Sequence, residues 1–346
     1  MNSIFAEKYP MDSLTHIVLG AAIGEALLGK KIGRKAMLWG AIANTIPDFD
    51  VLASPCFTSA QQLMVHRGIT HSFLFLLVVA PLLGWLFSKW FKKLEVSWKS
   101  WTYLFFLGLF SHTLIDSFTA YGTGWFEPFS SYRVSFNTIF VADPFYTLPF
   151  LICVLIALIA KNNSPKRFRW NKIGIVISSL YLVFTIVNKW HIDDKMQEAF
   201  VKKNITTTAF VTTPTPLNNF LWMAYSPDAR GYWLGYYSIF DKTNNIEFFH
   251  VNKNDSLLDS YANNESVKIL KQFSKGYYCV TTNKQDVYFN DIRFGQIGAW
   301  DKPDSAFVFS FKLNNIEDNA RALNRTKFKT SFSDVFASLV NRIKGK

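Results

Sequence analysis

Apolar residues run almost unbroken through four stretches of the first half of the chain, 71–91, 101–120, 139–160 and 173–190. Each is close to the roughly 20 residues a helix needs to cross a bilayer. Two earlier stretches, 14–29 and 36–53, are shorter and are interrupted by Glu25, Asn44, Pro47, Asp48 and Asp50. They read as helices that either span with thinning or sit partway into the membrane. After about residue 191 the pattern changes. "GYWLGYYSIF" (231–240), "IEFFHV" (246–251), "YYCVTT" (277–282), "DVYFNDIRFG" (286–295) and "AFVFSFKL" (306–313) are short, aromatic and β-branched, with polar turns between them. That is the signature of sheet, and "SVKILKQFSK" (266–275) reads as one helix. The expected fold is therefore mainly α: a polytopic membrane helical bundle over residues 1–190, then a small α+β domain over 191–346.

Composition supports the membrane reading. Of 346 residues, 49% are apolar and only 18% charged, and Phe alone occurs 34 times. The net charge of +12 would suit nucleic acid if it formed one patch. Instead it gathers in "KKIGRK" (30–35), "KWFKKLEVSWK" (89–99) and "KNNSPKRFRWNK" (161–172), each between apolar stretches. Short basic loops between spans belong on the cytoplasmic side. No nucleic-acid partner is expected; the lipid bilayer is. With these loops inside, both chain ends and the α+β domain fall outside the cytoplasm. Cys56, Cys153 and Cys279 are too few and too dispersed for a disulfide framework or a cysteine zinc site. The N-terminus lacks a basic n-region and a cleavage site, so no removed signal peptide is expected. Met1–Pro10 carries neither periodicity nor ligand residues, so Met11 can serve as a functional start.

Set against this topology, the acids and histidines of the first half collect at one membrane face. His16 lies near the outer end of the first helix, and Asp48 and Asp50 near the outer end of the second. His66 and His71, in "HRGITHS", stand at the mouth of the third; His112 and Asp116, in "HTLID", close the fourth; Asp143 opens the fifth. Imidazole with carboxylate is the ligand set of zinc and other divalent metals. His112 and Asp116 are i and i+4 and share one helical face; Asp12 and His16 repeat the spacing. Asp48 and Asp50 cannot share a helical face, so one is expected to ligate and the other to orient a histidine. Gly68 permits a tight turn between His66 and His71, and Thr70 is a candidate cap for the next helix. Ionisable groups at membrane depth are costly and mark function. His191 and His250, outside this group, read as ordinary residues of the outer domain.

"MDSLTHIVLGAAIGE", "PDFD", "HRGITHS" and "HTLID", in that order over about residues 11–150, resemble the membrane-bound metal-dependent hydrolase family, also described as LexA-binding inner-membrane hydrolases. "TPTPLNNFLW" (213–222) and "DIRFG" (291–295) resemble the outer domain of some of its members. The order His, Asp, His, His-x-x-x-Asp is also similar to zinc-dependent phospholipase C and related single-strand nucleases. That similarity implies ligand roles for His16, for Asp48 or Asp50, for His66 or His71, and for His112 with Asp116. The second helical motif of those enzymes, His-x-x-x-Glu, is missing, which favours one or two ions over three.

Taken together, the expectation is a hydrolase of the bacterial inner membrane that uses a divalent metal, zinc first, on a phosphodiester or ester, lipid included, at the outer face. Asp48 or Asp50 would accept the proton of the attacking water. Arg67 and Arg133 would hold an anionic phosphate, as arginine's planar fork allows. A transporter is the rival reading, weakened because its polar groups should lie near the midplane and on both sides. A non-catalytic metal-binding regulator shares the ligand set. A metalloprotease would need His-Glu-x-x-His, which is missing.

Overall fold

The computed structural model describes residues 10–207, 209–313 and 332–345, with side chains described from Ser13 onward. The reading of Met1–Pro10 and the side chain of Asp12 lie outside the described residues. The chain is a helical N-terminal region followed by a small antiparallel-sheet domain. Two compact units divide the described residues: 10–53 with 65–186, and 54–64 with 187 onward.

The helical unit begins with α1 (Pro10–Ile32) and α2 (Lys35–Thr45), a hairpin closed by Gly33 in the left-handed region at φ +63°. Gly20, Gly24 and Gly40 let these two helices touch backbone to backbone. A Cβ on Gly40 would run into the carbonyl oxygen of Gly20, and one on Gly24 into that of Ala36. Small residues four apart are how helices approach closely in lipid. Pro47 cannot donate an amide hydrogen, and beyond Thr45 the chain tightens into 3-10 turns over Pro47–Cys56. After α3 (Ser59–Val65) come α4 (Phe73–Trp90), α5 (Trp98–Ser117) and α6 (Pro144–Ile159). The last helix of the region, α7 (Pro165–Lys202), is 38 residues long.

Among the described residues, α4 and α7 are long and apolar enough to cross a membrane, and α6 is apolar but shorter. Leu74, Leu77, Val78, Leu82 and Trp85 form an exposed stripe along α4, and Phe145, Leu148, Ile152 and Leu155 do so on α6. Along α5, Trp101, Leu104, Phe105, Leu109, His112 and Asp116 are all buried, so this helix is the core of its unit.

In the C-terminal unit β1 (Val211–Pro214), β2 (Leu221–Pro227), β3 (Gly231–Ser238) and β4 (Phe248–Asn252) form an antiparallel meander. Tyr225 opposes Leu234 and Leu234 opposes Phe249, which fixes the register. Alternation puts Leu221, Met223, Tyr225, Leu234 and Tyr236 on one face and Trp222, Ala224 and Tyr237 on the other. The second face is covered by Ile192, Met196, Ala199 and Phe200 from the end of α7. The first meets Cys279, Ile292 and Phe307, and Leu339 of a C-terminal helix. That side carries α8 (Glu265–Phe273) and the second sheet, β5 (Tyr278–Asn283), β6 (Asp286–Asp291) and β7 (Ser310–Lys312), before α9 (Phe332–Ile343).

Candidate metal centre

The end of α2 sets the first constraint. With the α-helical ladder broken by Pro47, the carbonyl of Asn44 is left to find a donor outside the helix. It takes Nδ1 of His112, at 2.5 Å. A carbonyl cannot donate, so Nδ1 carries the proton and the neutral ring's Nε2 lone pair faces away from α2. The Asn44 side chain reinforces the crossing by donating to Gly108 O at 3.0 Å and Ser111 Oγ at 2.7 Å.

His71 is fixed the same way. The Thr70 hydroxyl donates to Asp50 Oδ2 at 3.2 Å and therefore accepts from His71 Nδ1, 2.9 Å away. The Nε2 lone pair of His71 then points at Nε2 of His112, 3.0 Å distant. Both rings are fully buried. Asp48 Oδ1 lies 3.7 Å from the first Nε2 and 3.4 Å from the second. Asp116 Oδ2 lies 3.3 and 3.6 Å from the same two atoms.

Those five separations can be compared with what an ion requires. A tetrahedral zinc about 2.0–2.2 Å from each donor needs donor–donor edges of about 3.3–3.6 Å. The observed edges, 3.0 to 3.7 Å, bracket that range. The two carboxylate oxygens of Asp116 are fully buried. Their neighbours are nitrogens: His16 Nε2 at 3.2 Å and Arg67 at 3.1 Å on Oδ1, and the two imidazoles on Oδ2. His16 also stacks on His112 with ring centroids 3.7 Å apart, and it groups with Asp48 and His112 as a second possible ligand triad. The two triads share His112, whose single Nε2 lone pair can serve one ion. The residues present therefore fit one divalent metal held by His71, His112 and Asp116, with Asp48 beside both imidazoles as the next donor and His16 alongside.

The two aspartates after Pro47 divide as the sequence left open. Asp48 reaches the donor cluster. Asp50 turns to the segment 66–71 instead, accepting from His66 Nδ1 at 3.1 Å, the Arg67 amide at 3.2 Å and Thr70. His66 lies outside the cluster, its side chain 20% exposed at the mouth. The tight turn runs through Arg67, at φ +63°, and not through Gly68, whose φ is −88°. Thr70 caps nothing: Ser72 caps α4 by accepting from the Phe75 amide, and Thr70 is spent on Asp50 and His71.

The arginines expected to clamp phosphate have other partners. Arg67 is buried, donates to Thr119 Oγ1 at 2.8 Å, pairs with Asp116 and stacks on Tyr121. Arg133, also buried, donates to His66 O at 3.0 Å and sits 3.6 Å from Glu127. They hold the loops that carry the histidines, and neither is an exposed anchor. Burial lifts the Glu127 carboxyl above its ordinary value, against the pull of Arg133. Asp143 caps α6 through the Phe145 amide and accepts from Tyr181, and it lines a small cavity that Asp116 also borders. The roles of Asn44, Thr70 and Thr119 at this site leave no trace in the sequence, because backbone carbonyls and lone threonines carry no spacing signal. His250 pairs with Asp228 at 2.9 Å in the sheet domain.

Inner membrane protein YbcI of Escherichia coli (strain K12) is 34% identical over 122 residues, 35% of this chain and 69% of that protein. The uncharacterized protein YfhP of Bacillus subtilis (strain 168) is 32% identical over 183 residues. That alignment takes in 50% of this chain and 51% of YfhP, so the chain spans about half of that relative's length. No solved structure matches. A family model described as YdjM inner membrane protein matches residues 11–192, which include His16, Asp48, His71, His112 and Asp116. With more than half of its length inside that model, the chain belongs to the YdjM inner membrane protein family.

Proposed function

We propose that this family member is an integral membrane, metal-dependent hydrolase acting on a phosphodiester or ester, lipids included, at the outer face of the inner membrane. The observation that carries the reading is the pair of imidazole lone pairs, His71 and His112, facing each other between two carboxylates. Metal-site resemblance in the sequence adds to it, and so does the family's inner-membrane description. The helices form a polytopic bundle in this reading, with the basic segments 30–35, 89–99 and 161–172 on the cytoplasmic side.

A bound divalent ion supplies Lewis acidity and acidifies a water near neutral pH. The chain's own groups do the rest. His71, His112 and Asp116 would hold the ion, with Asp48 beside them, and Arg67 balances the buried charge of Asp116. Asp50 fixes three donors of the 66–71 segment and thereby the aim of His71. His66, oriented by Asp50 and partly open to the outside, is placed to take or give a proton at its Nε2. Phosphate over carboxylic ester rests on the resemblance to zinc-dependent phospholipase C alone.

The test pairs elemental analysis of the purified protein with hydrolysis of bis(p-nitrophenyl) phosphate and p-nitrophenyl esters. His66→Ala is expected to keep the metal and lose turnover. Stoichiometric metal with no turnover of either probe class would favour a metal-binding regulator over an enzyme.

A further inference from the structure

Three segments build the mouth of the centre: the 3-10 turns from Pro47, the segment 66–72, and the loop between α5 and α6. The centre's own hydrogen bonds tie them together. Asp50 joins the first to the second. The Gly124 amide donates to Arg67 O at 2.8 Å, the Phe73 amide to Trp125 O at 2.9 Å, and Arg133 to His66 O, joining the third. Each segment turns large apolar side chains outward. Phe49 and Leu52 are 54% and 76% exposed, Ile69 49%, and Phe126, Phe129 and Tyr132 47%, 83% and 65%. Displaying six such side chains together in water is costly.

Two features say what covers them. The first is continuity with α4. That helix starts at Phe73, two residues after His71, and its exposed stripe of Leu74, Leu77 and Val78 runs straight on from Ile69. The Phe73 ring also packs 6.2 Å from Phe126. If α4 crosses the bilayer, a rise of about 1.5 Å per residue puts His71 within about 5 Å of the edge of its apolar span. The second feature is charge. The only basic side chains besides histidine in segments 47–53, 66–72 and 118–136 are Arg67 and Arg133, both buried. The far end of α4 contrasts with this: Trp85 and Trp90 stand with Lys89, Lys92 and Lys93. Without exposed cations the collar cannot dock on an anionic lipid or protein surface through charge. Aromatic side chains at one end of a span are instead what sits in the interfacial layer.

We infer that this collar of Phe49, Leu52, Ile69, Phe126, Phe129 and Tyr132 is embedded in the interfacial layer of the bilayer, so that the centre opens onto lipid. Resting on the hydrolase reading, the substrate class narrows to membrane-resident amphiphiles that present a polar linkage at headgroup depth and need not leave the bilayer to reach His66. The embedding is apolar, so it does not depend on anionic lipid or on salt.

The experiment uses the full chain in liposomes of phosphatidylcholine, with Cys56→Ser as background and a single NBD label at Phe129→Cys or at Leu52→Cys. Asn163→Cys, in an exposed basic segment, is the aqueous reference. Both collar labels are expected to be quenched by lipids carrying a nitroxide on the acyl chain and shielded from iodide, unlike the reference. Adding phosphatidylglycerol or salt should change nothing. Iodide quenching equal to the reference overturns the inference, as does shielding from iodide without lipid quenching, which would mean that protein covers the collar. None of these readings needs bound metal or turnover. Embedded labels on a protein that binds no metal would sink the hydrolase reading while leaving the collar intact, and water-exposed labels on a metal-loaded protein would do the reverse.

Discussion

Nε2 of His71 and Nε2 of His112 face each other across 3.0 Å while each ring's Nδ1 is already committed to a protein oxygen. Two lone pairs cannot rest at that separation unless a proton or a cation lies between them. Asp48 and Asp116 surround the same point with negative charge, which favours a cation. The remaining polar groups of the site follow from keeping these two rings in place.

Asp50 makes no close approach to the donor cluster; its nearest contact there is His71 Nδ1, at 3.9 Å. Its role is to orient, and loss of such a partner lowers metal affinity by about 10–100-fold. Asp50→Asn is therefore expected to bind zinc weakly, whereas Asp48→Asn should lose stoichiometric zinc. Competition with a chromophoric chelator separates the two outcomes. Equal affinities would mean that the two aspartates have been assigned wrongly.

How far the sequence exposed this site depends on the kind of constraint. His112 and Asp116 were readable because an α-helix fixes i and i+4 on one face. Which of Asp48 and Asp50 reaches inward was not, since the 3-10 turns after Pro47 aim side chains by a local geometry that spacing does not report. The left-handed Arg67 was masked by its neighbour Gly68, the residue that usually takes such a position. In the second unit β3, β4, β5, β6 and β7 stand out by composition, but β1 and β2 do not, because Pro214, Pro216, Asn218 and Asn219 break the pattern beside them. Helix α7 outran its apolar stretch. Past Trp190 it buries only Ile192, Met196, Ala199 and Phe200, an amphipathic stripe that reads as polar on average. Burial of α5 was hidden because a core helix and a membrane span share one composition.

Glu25 and Arg167 form a fully buried ion pair between α1 and α7, with Asn162 also accepting from Arg167. Removing one partner strands a buried charge and costs about 3–5 kcal/mol. Glu25→Leu and Arg167→Met should each lower the unfolding midpoint in detergent, and the double variant should recover much of the loss. Additive losses in the double variant would show that the pair is not a coupled unit.

Helix α1 touches α2 through Gly20, Gly24 and Gly40, α2 holds His112 of α5 through the Asn44 carbonyl, and His16 of α1 stacks on that ring. Gly40→Ala drives a methyl into the Gly20 carbonyl, and such overpacking costs about 1–3 kcal/mol. The variant is expected to lose both stability and metal affinity. Gly276→Ala, with open space around it but a φ of +80°, should cost stability in the second unit and leave the metal alone. Unchanged zinc affinity in Gly40→Ala would detach the hairpin from the site.

In the second unit the Tyr278 hydroxyl donates to Asp255 at 2.5 Å. That hydrogen bond, with Lys271 and Lys253 nearby, outweighs burial and holds the Asp255 carboxyl below the usual carboxylate range. A depressed acid stabilises the fold above its unfolded pKa, about 3.9, and the contribution is lost as pH falls through the folded value. Asp255→Asn should thus weaken amide protection of Tyr278–Asn283 at pH 7 and make no difference at the acid end. Hydrogen exchange of the two proteins at matched pH reads the gap. A gap that persists unchanged to low pH would assign the effect to packing and not to charge.

The most direct measurement is metal content of the intact protein and of His71→Ala, His112→Ala and Asp116→Ala, each purified in folded form and analysed for zinc, manganese and iron. The geometry predicts about one ion per chain in the parent, none in these three variants, and retention in His191→Ala and His250→Ala. A parent protein that takes up no divalent metal, or variants at 71 and 112 that keep their full complement, would mean that a shared proton joins the two imidazoles and that no metal centre exists there.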